Sequence, residues 1–195
     1  MMLPTLIIDD FIPKAYQEEI KNTLFSENFP WSYISDVTFN EKNTSSNKSP
    51  ACAHLFRRHG KTICEYYKLL EPMAFIAAEK AAYTYGEVLM CRSFLQLPIH
   101  ETKIADLIHI DVPYDHLVCL YYVIDADGDT LIVDKTRSGQ EEEFNCSVND
   151  YNILHRVTPK QGRAVLFDGR YYHTAEQPIN DIRCIINFDI LGAST

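Results

Sequence analysis

Apolar residues in the first 86 positions of the chain recur at helical spacing, and from Glu87 onward they fall into short runs at strand spacing. Leu6–Ile8 predicts a short strand. Pro13 then opens a segment in which Tyr16, Ile20 and Leu24 stand at i, i+4 and i+8, one apolar face of a helix expected to end near Asn28. Residues 31–39 read as extended. Residues 40–50, NEKNTSSNKSP, contain no apolar residue and predict a mobile loop, more readily a plain surface connection than a lid. Residues 61–85 return to helical spacing through Ile63, Tyr66, Tyr67, Leu70, Phe75, Ile76, Ala78 and Ala82; the aromatics are expected in the core, and Pro72 predicts a kink or a restart.

Seven β-rich runs follow: VLMCRSFLQL, ADLIHID, HLVCLYYVI, TLIVD, YNILHRV, RAVLF and RCIINFDIL. Turns between them are marked by Asp127-Gly128-Asp129, by residues 159–162 and by Asp168-Gly169. Many short strands with evenly placed turns predict a sandwich or jelly roll. A helix-rich stretch, 1–86, ahead of a roll, 87–195, gives an α+β domain whose N-terminal helices brace one sheet while the mouth of the roll stays open to a ligand.

Composition narrows the function. At 195 residues and 46% hydrophobic, the chain predicts one domain, 1–195, with a full core. A formal net charge of −9 argues against nonspecific nucleic-acid binding, which needs a basic surface to displace counterions. Cys52, Cys64, Cys91, Cys119, Cys146 and Cys184 are scattered, without a C-x-x-C, and read as reduced residues of a cytoplasmic protein. The opening MMLPTLIIDDFIP lacks a basic leader, and no later run approaches the roughly twenty apolar residues of a membrane span. Oligomeric state stays open.

Candidate chemistry begins at His109-Ile110-Asp111. In an extended strand, residues two apart project to the same side, so His109 and Asp111 can grip one metal together, with a third ligand drawn from elsewhere. Two imidazoles and a carboxylate on one face of an octahedron are the set of non-haem Fe(II) oxygenases. The later His173 and Arg183 complete an order that points to such an enzyme. Taken alone, His109 and Asp111 read more readily as a solvent-facing pair at a strand end or a core histidine satisfied by a backbone carbonyl; the surrounding sequence is what favours the metal.

Across nearly its whole length the chain resembles the 2-oxoglutarate and Fe(II)-dependent dioxygenases, in particular the small prolyl-4-hydroxylase-like branch. The resemblance is carried by LIIDDFIP at Leu6 to Pro13, by HID at His109 to Asp111, by LYYVIDADGDT at Leu120 to Thr130, and by FDGRYYH at Phe167 to His173, followed by Arg183. It implies a double-stranded β-helix with Fe(II) on His109, Asp111 and His173, the catalytic and metal residues. 2-Oxoglutarate and O2 would be the cosubstrates. Arg183 would pair with the distal carboxylate of 2-oxoglutarate, since a guanidinium offers two parallel charge-assisted hydrogen bonds. Tyr122 is matched to a tyrosine that in some relatives bonds the same carboxylate, though alternation leaves Tyr121 or Tyr122 open for the inward position. Asp168 reads either as a partner to a metal-bound histidine or, more simply, as a turn residue.

Two positions depart from the branch. Asp127-Gly128-Asp129-Thr130 stands where many relatives have Gly-Gly, and Ile185 replaces a second hydroxyl donor two residues after Arg183. The implied substrate is a prolyl residue in a peptide or protein; a free amino acid or small metabolite is the alternative. A non-catalytic cupin-like metal or ligand module and a zinc hydrolase are the competing classes, the latter without a use for Arg183 or an evident Glu base. Arg137, Arg156, Arg163 and Arg170 read as a scattered solvated set before a cluster at the mouth.

Overall fold

The computed structural model describes residues 2–37, 49–99, 104–137 and 146–194. Among these, two antiparallel sheets and two helices are built from β1 (Leu6–Ile8), α1 (Lys14–Leu24), β2 (Ser32–Ile34), β3 (Ala51–Arg58), β4 (Lys61–Thr62), α2 (Tyr67–Lys80), β5 (Tyr83–Gln96), β6 (Leu117–Tyr122), β7 (Thr130–Thr136), β8 (Ile153–Val157), β9 (Ala164–Asp168), β10 (Tyr171–Ala175) and β11 (Arg183–Ser194). The large sheet runs β1-β9-β6-β11-β5-β3-β2, with β4 alongside β3, and the small sheet runs β10-β7-β8.

The large sheet is covered on both faces, as the unbroken apolar run of β6 requires. Its odd-numbered residues Leu117, Cys119 and Tyr121 join Ile20, Leu24, Leu70 and Met73 of the helices in one core. Val118, Leu120 and Tyr122 point the other way, against Ile132 of β7 and Val157 of β8, so a second core lies between the sheets. Alternation thereby decides between the two tyrosines: Tyr121 faces the helices and Tyr122 the space between the sheets.

Several boundaries differ from the sequence reading for local reasons. Helix α1 stops at Leu24, where the Trp31 indole donates to the Leu24 carbonyl and a tighter turn follows through Ser26. Helix α2 is shorter than residues 61–85 and runs through Pro72 without a restart; the proline sits early in the helix, where a single amide is lost. Lys61–Thr62 pairs with β3 instead, and Ala82, at φ 49°, turns the chain into β5. Phe75, expected in the core, is 50% exposed, and Ile63 is 56% exposed. The split near Glu87 falls inside β5, so the first 86 residues supply strands β1 to β4 as well as both helices. Residues 40–48 of the expected loop lie outside the described residues.

ADLIHID is not a regular strand. It makes isolated bridges at Ala105, Ile108 and His109, held beside β10 by a small cluster of Ile108, Val133 and Tyr172. Strand β10, which carries His173, was not expected as a strand.

Candidate metal and anion-binding centre

One backbone rung assembles the site. The amide of His109 donates to the carbonyl of His173 and the amide of His173 to the carbonyl of His109, each at 2.9 Å, so the two residues stand directly opposite with ring centroids 4.7 Å apart. Asp111, two residues on, projects to the same side. Its Oδ1 lies 3.8 Å from His109 Nε2 and its Oδ2 3.4 Å from His173 Nε2, and the three donor atoms all lie within 4.8 Å of one another.

The donor chemistry fits a divalent metal. Each imidazole turns Nδ1 to the carbonyl two residues back, His109 to Leu107 at 3.2 Å and His173 to Tyr171 at 3.4 Å. A carbonyl only accepts, so each of these contacts uses a proton on Nδ1 and leaves Nε2 as the ring atom turned toward Asp111. Desolvation in the cavity, more than the neighbouring His173, pushes the His109 imidazole down to about 4; 44% of its side chain still reaches solvent, which moderates the shift without changing its direction. His109 is thus unprotonated at neutral pH, the form that can ligate a metal. Burial alone would raise Asp111, but Arg92 and then His173 outweigh it and hold the carboxyl well below the usual range. With metal–ligand bonds of about 2.1 Å, adjacent ligand atoms stand about 3 Å apart, so the separations of 3.8 and 3.4 Å would close by less than about an ångström around a metal.

Two further residues grip Asp111 from across the large sheet. Arg92 on β5 makes an ion pair with Oδ1, and the Asn187 amide on β11 donates to Oδ2 at 3.1 Å. Behind them, His116 Nε2 lies 3.7 Å from Asp189, and with Asp111 they form a second close group. Burial, with Asp111 adding to it, pushes Asp189 well above the ordinary carboxyl range, favouring its neutral form and weakening that group as a metal set.

The other end of the same cavity, about 260 Å3 in volume, is lined by Arg183. Its Nε donates to the Gly128 carbonyl at 2.9 Å and its terminal nitrogens to Gln96 Oε1 at 2.7 Å and Thr130 Oγ1 at 3.0 Å. A Cβ on Gly128 would meet Arg183 Cδ at 3.0 Å and the Glu176 carbonyl oxygen at 2.6 Å, so this glycine is what lets the arginine lie against the turn. Arg183 is 3% exposed and has no ion-pair partner among the described residues; burial lowers its pKa, yet a guanidinium stays charged at neutral pH. Three of its five N–H groups are used, and two are left for a ligand.

Tyr122 stands behind this end and does not line the cavity. Its hydroxyl donates to Thr130 Oγ1 at 2.7 Å, and Thr130 in turn accepts from Arg183. Thr130 is the hydroxyl that the cavity offers in place of one at Ile185. Asp168 belongs elsewhere: it accepts from the Leu3 amide and pairs with Arg170. Arg137, Arg156 and Arg163 are likewise held by Asp115, by Asp129 and Glu176, and by Asp9, and none lines the cavity. Sequence reasoning missed Arg92, Gln96, Thr130 and Asn187. The available signal was polar residues inside apolar strands, as with Asn187 in RCIINFDIL.

No protein-family model and no curated protein matches the chain. Solved structures do. A 2OG-Fe(II) oxygenase family oxidoreductase from Burkholderia pseudomallei shares 11% identity over 97% of this chain and 87% of its own, with a TM-score of 0.68. A Trichoplax adhaerens prolyl hydroxylase, in complex with a hypoxia inducible factor peptide fragment, shares 14% over 96% and 83%, at 0.63. The non-heme alpha-ketoglutarate-dependent carbocyclase SnoK of nogalamycin biosynthesis shares 14% over 97% and 80%, at 0.68. The chain therefore has the fold of the 2OG-Fe(II) oxygenases, with the His109, Asp111 and His173 group and the buried Arg183 at the two ends of one cavity.

Proposed function

We propose that the protein is an Fe(II)- and 2-oxoglutarate-dependent dioxygenase that hydroxylates an unactivated C–H bond, releasing succinate and CO2. Its two sheets are read as a double-stranded β-helix within one domain, with His109, Asp111 and His173 as the iron ligands. The observation that carries this reading is Arg183, a buried guanidinium without an anionic partner among the described residues, in the same cavity as a facial set of two imidazoles and a carboxylate. The buried Asp106 and Asp129 act on this charge from beyond ion-pair distance, and a buried guanidinium without a direct partner is costly unless a ligand pairs with it.

Arg183 binds the distal carboxylate of 2-oxoglutarate through its two free N–H groups, with Thr130 and Gln96 fixing the guanidinium plane and Tyr122 holding Thr130 from behind. The keto acid then spans the cavity toward the triad. Bound iron supplies the dioxygen chemistry, coupled to oxidative decarboxylation of the keto acid. Phe94, Leu120 and Ile185 line the wall between the two ends and limit water there.

For substrate, the first choice is a prolyl residue in a peptide or protein. In support, Arg92 and Phe94 are shared with a neighbouring open cleft of about 600 Å3 that also includes Ile34, Leu55 and Met90, room for more than a single amino acid. One neighbour of the same fold holds a peptide. Six free cysteines fit a reducing, cytoplasmic setting, and among the described residues no helix is long and apolar enough to cross a membrane.

Anaerobic titration with Fe(II) and 2-oxoglutarate tests the cosubstrate site without a substrate. A visible charge-transfer band should appear only with both components and vanish in Arg183→Ala. Bound metal with no band in the wild type would point to a non-catalytic metal module instead.

A further inference from the structure

Asp111 lies in an irregular segment that no β-ladder holds beyond the His109 rung, so its carboxylate is oriented by what it touches. Arg92 and Asn187 donate to it from the large sheet, and Asp189 of β11 lies close beside it. Arg92 and Asn187 are direct cross-strand partners in the β5–β11 ladder, and they end on different oxygens of the same carboxylate. Arg92 is supported in turn by Phe94, the next residue on its face of β5, with the guanidinium carbon 5.5 Å from the ring centroid. Only 1% of the Asp111 side chain and 25% of the Arg92 side chain reach solvent.

Resting on the metal reading above, we propose that Arg92 is a positioning residue for metal binding: it holds the plane of the Asp111 carboxylate so that a lone pair is presented between His109 and His173. Two effects oppose each other at this pair. The guanidinium charge draws on the same carboxylate that a metal would use, and by charge alone it weakens that ligand. Orientation outweighs this, because without Arg92 the buried carboxylate loses the charged donor on Oδ1 and is left with the Asn187 amide and the neighbouring Asp189. Removing groups that orient metal ligands costs about 10- to 100-fold in metal affinity.

The test is anaerobic Co(II) titration of the full chain, read by visible absorption and by the rise in unfolding temperature that the metal produces. Arg92→Met should bind Co(II) about 10- to 100-fold more weakly, with an altered visible spectrum and a smaller metal-induced rise. Arg92→Lys should recover most of the affinity, which a generic packing role would not give. Arg92→Gln supplies the same comparison if Arg92→Met does not fold. Binding by Arg92→Met as tight as wild type or tighter, with an unchanged spectrum, overturns the role of Arg92 alone. A wild-type chain that takes up no Co(II) overturns the metal reading and this role together.

Discussion

The two faces of the β6–β11 ladder have the same burial and opposite chemistry. Toward the helices, β11 presents Cys184, Ile186, Phe188 and Ile190, each packed among carbon. Toward the small sheet it presents Arg183, Ile185, Asn187 and Asp189, all at most 4% exposed. The first face pays for folding. The second spends stability on charge that water no longer solvates, and such a cost persists where a ligand or metal answers it.

Breaking the polar face at its metal end gives the largest effect. Asp111→Asn should abolish Fe(II) or Co(II) retention, measured by metal analysis after gel filtration, while far-ultraviolet circular dichroism is unchanged. Asparagine is the better probe than alanine because the Asp111 side chain is buried against Arg92. Retained metal would remove Asp111 from the ligand set.

On the apolar face, Phe188→Ala should cost about 3–5 kcal/mol in urea unfolding, with the 2-oxoglutarate affinity of the folded protein unaltered. A loss of affinity matching the loss of stability would dissolve the contrast between the faces. Arg183→Gln should do the reverse: an apparent 2-oxoglutarate affinity about 10- to 100-fold weaker, from the loss of charged hydrogen bonds, with unfolding stability equal or higher in the absence of ligand.

The smallest and sharpest comparison uses two neighbours. Tyr122→Phe removes the bond to Thr130 and should weaken 2-oxoglutarate binding by a few-fold, about 1 kcal/mol. Tyr121→Phe, one residue away on the opposite face, removes a buried hydroxyl that has no hydrogen-bond partner among the described residues, and should leave binding untouched and stability equal or improved. Equal effects on cosubstrate affinity would mean that the cavity does not distinguish the two faces.

The apolar face was legible because the unbroken apolar run of β6 and the alternating Asn187, Phe188, Asp189 and Ile190 of β11 both read as strand, and helical spacing survives in α1. His109, Asp111 and His173 were legible as residue types at a familiar spacing, and Arg183 as a charge opening an apolar strand. What stayed hidden depends on register. Arg92 and Gln96 acquire meaning only because β5 pairs with β11 so that they lie opposite Asn187 and Arg183. Strand β3 was missed since ACAHLFRR mixes apolar and basic residues on a sheet extension. The segment that carries His109 and Asp111 was read as a strand, whereas its bridges are isolated, to His173 of β10, to Glu176 just beyond it and to Cys146.

The reciprocal His109–His173 rung ties together two stretches of chain that are distant in sequence, one irregular and one in the small sheet. A change that tilts β10 must carry both imidazoles with it, so their spacing behaves as a single mechanical coordinate. Hydrogen exchange at the two amides should therefore rise and fall in step, and a metal that closes across them acts as a clasp that slows both at once.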